Sequence, residues 1–410
     1  MKVAYFIAQR IAFNRQKSFS RFIIRLATAA TALSVAAMII TVSFLTGFQE
    51  TVANKVFSFW GHIRVQHYQP AKALVAEETP LQKNDTVLHI LQQTAGVKEV
   101  QVFATKSGVV ENNKDIEGLL FKGVEKDYDF ANLRPFLKQG RWPDFSDTAY
   151  SKEIVLSQSV ADKLNIHLNE NINVYFISTA EGRASFRKLK VCSIYKTGIE
   201  EYDNLFAICD LRLIRRVNNW QKDEIGGYEI FLNDYKLIDS VNNNIYENLP
   251  DKWVSKTVKQ EYPNIFDWLN MLDVNKDVLF VVIAIVAIIN LITCLLILVL
   301  ERTRMVGVLK AVGSSDKNIQ EIFLYYATLI AGSGIFIGFL FGVGICLIQQ
   351  YTGFIKLDEA NYYVSTAPVH IIWWQVFAIC GAALVVCFLS LALPVLFVRT
   401  IKPVKAIQFR

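Results

Sequence analysis

The chain is 410 residues long, 52% hydrophobic and only 20% charged, with a formal net charge of +6. A soluble chain of this length would fold as two or three domains; here much of the length is committed to long apolar runs, which points to a membrane. The basic excess is not gathered into an aromatic-interleaved patch, so no nucleic-acid partner is expected.

Residues 1–25 mix Val3, Phe6, Ile7, Ile11 and Phe13 with Arg10, Arg15, Lys17 and Arg21, which suggests an interfacial helix on the inner leaflet. The first uncharged run follows, Leu26 to Phe48. It is too long for a signal peptide and is followed by no convincing cleavage site, so it reads as a retained anchor.

Residues 49–277 carry mixed charges and alternate strand-like and helix-like patterns, as an α+β domain does. The segments 62–68, 97–110, 117–124, 171–177, 187–195 and 204–210 read as strands. Residues 86–93 read as a helix with Asp85 as its cap. Residues 153–166 read as strand then helix, with Ser157 as the cap. A helix over 235–248 and a strand near Trp253 lead back to the membrane. Both ends of the domain must meet the bilayer, so two lobes are expected: a near lobe of 49–145 plus 214–277 and a far lobe of 146–213.

Three more uncharged runs complete the chain, at 278–300, 322–348 and 371–398. Each can cross a hydrocarbon core of roughly 30 Å, which takes about 20 helical residues, and lipid forces such segments to be helices. The expected fold class is thus a membrane protein of four transmembrane helices with a large external domain between the first and second. Basic residues flank the membrane in 1–25, in the connector 301–321 (Arg302, Arg304, Lys310, Lys317) and in the tail 399–410 (Arg399, Lys402, Lys405, Arg410). The positive-inside rule makes all three cytoplasmic. The loop 349–370, with Lys356 against Asp358 and Glu359, falls outside with the large domain.

Within the third run Gly334, Gly338 and Gly342 form a small-xxx-small stripe that lets two helix backbones approach, within one subunit or across a dimer. The runs contain no ionisable residue, which weighs against ion-coupled transport. Catalytic signatures are missing as well. There is no G-x-x-x-x-G-K-[ST] phosphate loop and no G-x-S-x-G or H-E-x-x-H motif. His62 and His67 sit at odd spacing in a strand, which points them to opposite faces and argues against a metal site. Cys192 and Cys209 lie in expected strands; outside the cytoplasm they could bridge if those strands are neighbours, and two reduced core thiols are the favoured reading. The chain is therefore not expected to be an enzyme or to bind a cofactor or metal itself.

Three stretches carry a resemblance over nearly the whole length: YFIAQRIAFNR with the first run and its exit LTGFQETVANKVFSFWGHI; LERTRMVGVLKAVGSSDKNIQEIF after the second run; and LPVLFVRTIKPVKAIQFR at the end, with Pro403 and Ala406. SIYKTGIEEYDNLFAICDLRLIRRV adds a fourth. The chain resembles the FtsX-like, MacB-type permeases of ABC transporters (type VII, mechanotransmission), and within them the LolC/LolE lipoprotein-releasing subunits.

That resemblance implies a permease in the inner membrane of a Gram-negative-type bacterium, with N and C termini cytoplasmic and the large domain periplasmic. It would act with a second copy or a paralogous permease and a separate LolD-like ATPase that uses ATP and Mg. Glu301, Arg302, Val306, Gly307, Val308, Leu309, Lys310 and Gly313 would form the coupling segment, with Val306, Val308 and Leu309 filling the ATPase groove and Lys310 with Gly313 closing the helix. Met38, Val42, Phe44, Leu45, Gly47 and Phe48 would line a lipid-accommodating cavity for lipoprotein cargo. A LolA-like periplasmic chaperone is a further implied partner, captured in the LolC type by a far-lobe hairpin that corresponds here to the short loop 178–186. FtsX-like signalling to a cell-wall hydrolase and MacB-like efflux are the alternatives. The long external insertion disfavours the first, and the lack of a fused ATPase disfavours the second.

Overall fold

The computed structural model describes residues 19–68, 79–112, 115–145, 149–177 and 184–390. The expected interfacial helix, the end of the fourth run, the basic tail and most of the loop 178–186 lie outside these residues. The chain divides into two units. One takes its described residues from 1–50, 269–356 and 366–410; the other comprises Thr51–Trp268 and Leu357–Ser365.

The first unit is helical. Helix α1 (Phe19–Trp60) contains the first uncharged run. Two described helical spans, Ile24–Trp60 and Asp316–Thr352, are long and apolar enough to cross a membrane by length and composition, and Trp373–Leu389 is a shorter apolar helix. The uncharged run 278–300 also lies within a continuous helix, Pro263–Glu301.

The glycine stripe has a partner within the chain. A Cβ on Gly334 would sit 2.8 Å from Thr31 Cβ, one on Gly338 would sit 2.5 Å from the Ala32 carbonyl oxygen, and one on Gly342 would sit 3.1 Å from Ala36 Cα. Taken in pairs, the partners Thr28 and Thr31, Ala32 and Val35, and Ala36 and Ile39 advance four residues at a time along α1, so the two helix backbones touch along a seam that larger side chains would pry open. Gly332 and Gly344, off the seam, have nothing within 4 Å. Gly338→Val is expected to destabilise the unit by about 1–3 kcal/mol through overpacking, whereas Gly344→Ala should be neutral or stabilising by up to about 1 kcal/mol. Thermal unfolding of both variants in detergent checks the contrast.

The second unit is built on strands β1 (Ile63–His67), β2 (Leu81–Gln82), β3 (Val97–Asn112), β4 (Asp115–Val124), β5 (Leu137–Gly140), β6 (Glu153–Ser157), β7 (Asn171–Ile177), β8 (Ala184–Tyr195), β9 (Phe206–Asp210), β10 (Glu224–Ile225), β11 (Gly227–Leu232) and β12 (Trp253–Thr257). Ten share one sheet in the order β12-β1-β11-β3-β4-β9-β6-β8-β5, with β7 bonded to β3 and β8. The expected division at 146 and 213 is no break in this sheet. β9 pairs in parallel with β4, and β7 pairs with β3, so strands of the expected far lobe are hydrogen-bonded directly to those of the near one.

Local capping follows the sequence with one correction. Ser157 accepts from the Val160 amide at the start of helix α2 (Gln158–Lys163), as its position ahead of an apolar-periodic segment implies. The helix over Asp85–Gln93 is capped by Asn84, which accepts from the Val87 amide, and Asp85 is the first helical residue. An acidic residue there still suits the helix dipole, which is why the two roles are hard to separate in sequence.

The segment Leu357–Ser365, expected as part of a separate loop, packs in this unit. Lys55 donates to the Thr197 and Tyr363 carbonyls, each at 2.6 Å, and Lys196 pairs with Glu359. Gly198 has φ +77, a left-handed conformation that favours glycine, and the ends of the Glu359 and Lys55 side chains close over it.

The two histidines differ as their opposite faces imply. His67 packs edge-on to Trp253. His62 stacks on Phe57 at 4.4 Å and its Nδ1 accepts from the Leu232 amide at 3.2 Å. Burial, helped by the charge of Lys98, pushes its imidazole down to about 4. The unfolded chain binds this proton near pH 6.5 and the folded chain does not until about 4. The contribution of neutral His62 is therefore complete above pH 6.5 and declines as pH falls toward 4, at up to about 1.4 kcal/mol per unit. His62→Phe should flatten the stability slope across that window relative to wild type, measured as melting temperature at half-unit pH steps.

Candidate functional site

The basic connector is a helix break followed by a short helix. Glu301 ends the long helix Pro263–Glu301, Arg302 adopts φ −96 and ψ 14, and a new helix runs over Thr303–Ala311. The turn after it is closed by Gly313, whose φ of +92 only glycine adopts freely. Its amide donates to the Lys310 carbonyl and that of Ser314 to the Leu309 carbonyl, satisfying two orphan acceptors of the helix end. Lys310 pairs with Asp316 at 2.9 Å. Ser315 then caps the helix Asp316–Thr352 by accepting from the Asn318 amide.

The residues expected to couple to an ATPase fall on two faces of the short helix. Val306 is fully buried in a cluster with Ala27, Val299, Ile319, Ile322 and Phe323, against which Met305 and Leu309 pack. Gly307 is buried too. Val306 thus holds the connector against the chain's own helices and is not available to fill a partner's groove. Arg304, Val308, Ala311 and Val312 lie on the opposite face and are exposed, at spacings that stack on one side of a helix. Val308 is 49% exposed and Val312 83%. Two exposed valines in a basic connector form an apolar ridge where water gains nothing by their presence, and Val312 was not among the residues read from sequence.

The cavity residues separate similarly. Val42 and Phe48 are buried, and a Cβ on Gly47 would sit 2.6 Å from the His370 amide nitrogen, so the helix passes flush against the 368–370 backbone. Phe44 and Leu45 are half-buried. Of the six expected residues only Met38 lines the apolar chamber of roughly 360 Å³ in this unit. Its other walls come from Phe280, Ala284 and Ala287 and from Ala378, Ala382 and Val386. The alanines make the room: small side chains at helical spacing on two facing helices leave space that a leucine would fill. With so little polar lining, the chamber offers a water molecule no partners and suits hydrocarbon.

Among the described residues no group of three or more His, Cys, Asp or Glu side chains is placed to hold a metal ion. Cys192 and Cys209 are free and buried; the Cys192 thiol donates to the Ile154 carbonyl at 3.4 Å, and burial pushes it up to about 11, so it is inert.

The sequence matches two family models: MacB-like periplasmic core domain over residues 26–245 and FtsX-like permease C-terminal over 278–403. Among similar proteins of Haemophilus influenzae, the lipoprotein-releasing system transmembrane protein LolE is 21% identical, with 100% of both chains covered, and LolC is 22% identical, with 99% of both covered. A solved structure of the periplasmic region of MacB from Actinobacillus actinomycetemcomitans is 13% identical, covers 50% of this chain and 91% of that one, and has a TM-score of 0.34.

Proposed function

The chain belongs to the MacB-like periplasmic core domain family, and from that premise we propose that it is the membrane subunit of an ATP-driven system that releases lipoproteins from the outer leaflet of the inner membrane. The observation that carries this reading is the end-to-end match with two relatives named as lipoprotein-releasing transmembrane proteins. In this reading the four uncharged runs are four spans, N and C termini are cytoplasmic, and residues 51–268 work in the periplasm. The chain is non-catalytic. A separate ATPase, using ATP and Mg, docks on the connector ridge of Arg304, Val308, Ala311 and Val312, while Val306 and Leu309 fix that ridge to the span helices. A second copy or a paralogous permease completes the dimer, and a periplasmic chaperone receives the cargo. The chamber beside Met38 supports the reading because it suits a hydrocarbon chain and little else.

Purification of the tagged chain from its native membrane, with mass spectrometry of co-eluting proteins, is the test. An ATPase together with lipidated proteins is the expected result. An ATPase with a peptidoglycan hydrolase and no lipoprotein would overturn the reading in favour of transmembrane signalling.

A further inference from the structure

A cleft of about 470 Å³ opens within the second unit, between the end of α1, the turn at 131–135 and the end of β11. Small-molecule sites fall in the range of about 300–1,000 Å³. Three carboxamides, Asn54, Asn132 and Asn233, line it together with Asp234 and His62.

The lining weighs against charged ligands first. Neither lysine nor arginine is part of it, and phosphates and carboxylates call for such cations. Asp234 would repel them as well. An extended peptide is no better matched. A chain added to a sheet needs a free strand edge, and β11, the strand that ends here, is already bonded on both sides, to β1 and to β3.

What the walls offer is a set of donors and acceptors beside aromatic rings. Each carboxamide has two donors and an acceptor. One Asp234 oxygen accepts from the Lys236 amide at 2.9 Å, and the other has no partner among the described residues. His62 Nδ1 accepts from the Leu232 amide. The proton of the neutral imidazole therefore sits on Nε2, and that N–H also has no partner among the described residues. Hydroxyl groups suit such a set, because each donates and accepts at one atom. The rings supply the second requirement. Phe57 stacks on His62 at 4.4 Å and lies 5.8 Å from Tyr235, whose half-buried ring also lines the cleft. A ligand with hydroxyls around its rim and C–H bonds on its flat face meets both requirements, and a pyranose ring has that form.

We propose that this cleft is a binding site for a neutral saccharide, with its hydroxyls held by Asn54, Asn132, Asn233, Asp234 and His62 and the C–H face of one ring laid on Tyr235. The site goes beyond the lipoprotein-release reading and does not depend on it. A cell-wall glycan and a soluble oligosaccharide present the same chemistry, and the test separates them.

The test uses the full chain in lipid nanodiscs, free of sugar-based detergent. It is titrated by calorimetry with two neutral tetrasaccharides, one of glucose and one of N-acetylglucosamine, and mixed in parallel with purified peptidoglycan sacculi. The expected result is saturable binding of a tetrasaccharide, weakened about tenfold by Asn54→Leu or Asn233→Leu through loss of a hydrogen bond or two. Both residues are exposed, so both variants should keep the fold, which their melting temperatures check. Inorganic phosphate should not compete. Retention on sacculi that the tetrasaccharide displaces identifies the wall glycan as the ligand; tetrasaccharide binding without retention identifies a soluble one. No binding of either tetrasaccharide up to about 10 mM, with no retention on sacculi, would overturn the proposal. Binding that both variants leave unchanged, or that phosphate displaces, would overturn it as well. Co-purification of an ATPase and lipoproteins is unaffected by any of these outcomes, so the release reading stands or falls separately.

Discussion

Lys122→Ala is expected to destabilise the second unit by about 3–5 kcal/mol, the largest single effect foreseen for this chain. Lys122 and Glu229 are both fully buried, on β4 and β11, the two strands that flank β3, with the ammonium 2.7 Å from one carboxylate oxygen and 2.9 Å from the other. The ammonium also donates to the Phe59 carbonyl and lies 4.8 Å from the Trp60 ring centroid and 5.5 Å from that of Tyr128. Burial pushes Lys122 down and Glu229 up, and each opposes the other's shift through its charge. Removing the cation leaves a buried carboxylate near Arg64, whose charge is already paired with Glu261 at 2.9 Å. The double variant Lys122→Met/Glu229→Leu, which removes both charges, should recover most of the loss. Melting of the purified single and double variants decides it: a double variant as unstable as Lys122→Ala would show that the ring and carbonyl contacts of the ammonium, not the stranded charge, dominate.

Val308→Glu should leave the subunit folded yet abolish its work. The side chain is half exposed and touches no part of the buried connector cluster, so stability should change by less than about 0.5 kcal/mol. A charge set into the centre of an apolar docking ridge should cost about 2 kcal/mol of partner binding, or roughly 30-fold in affinity. Val306→Glu is the counterpart. It buries an unpaired charge among Val299, Ile319 and Phe323 and should destabilise the helical unit itself. ATPase retention in pull-downs, read beside the melting temperature of each variant, separates docking from folding. Unchanged ATPase retention by folded Val308→Glu would place the contact elsewhere on the connector.

Much of the second unit was legible in the sequence because its strands alternate or stand between clear turn signals. Residues 171–177 emerge as β7 with the expected bounds, and 153–166 emerge as strand then helix, β6 followed by α2. Strand β11, Gly227–Leu232, escaped notice. All six of its residues are buried, so period-two alternation is missing, and it carries Glu229 inside. Nothing local announces that a glutamate belongs in a core; its warrant is Lys122, 107 residues away. The connector helix was legible as a segment, but which of its faces is buried was not, since Val306 and Val308 are chemically the same residue.

By itself the sequence determined the uncharged runs, the basic connector between two of them, the capping at Ser157 and the spacing of Gly334, Gly338 and Gly342. Each of these is written in local composition or helical period, and local physics is enough to read it. The tertiary structure decided which surface each feature meets. It set the glycine seam against α1, turned Val306 inward and Val308 outward, drew Leu357–Ser365 onto the strand-built unit, and joined the expected lobes in one sheet. These are long-range pairings, in which the free energy depends on two distant segments at once, and no window along one of them contains the other.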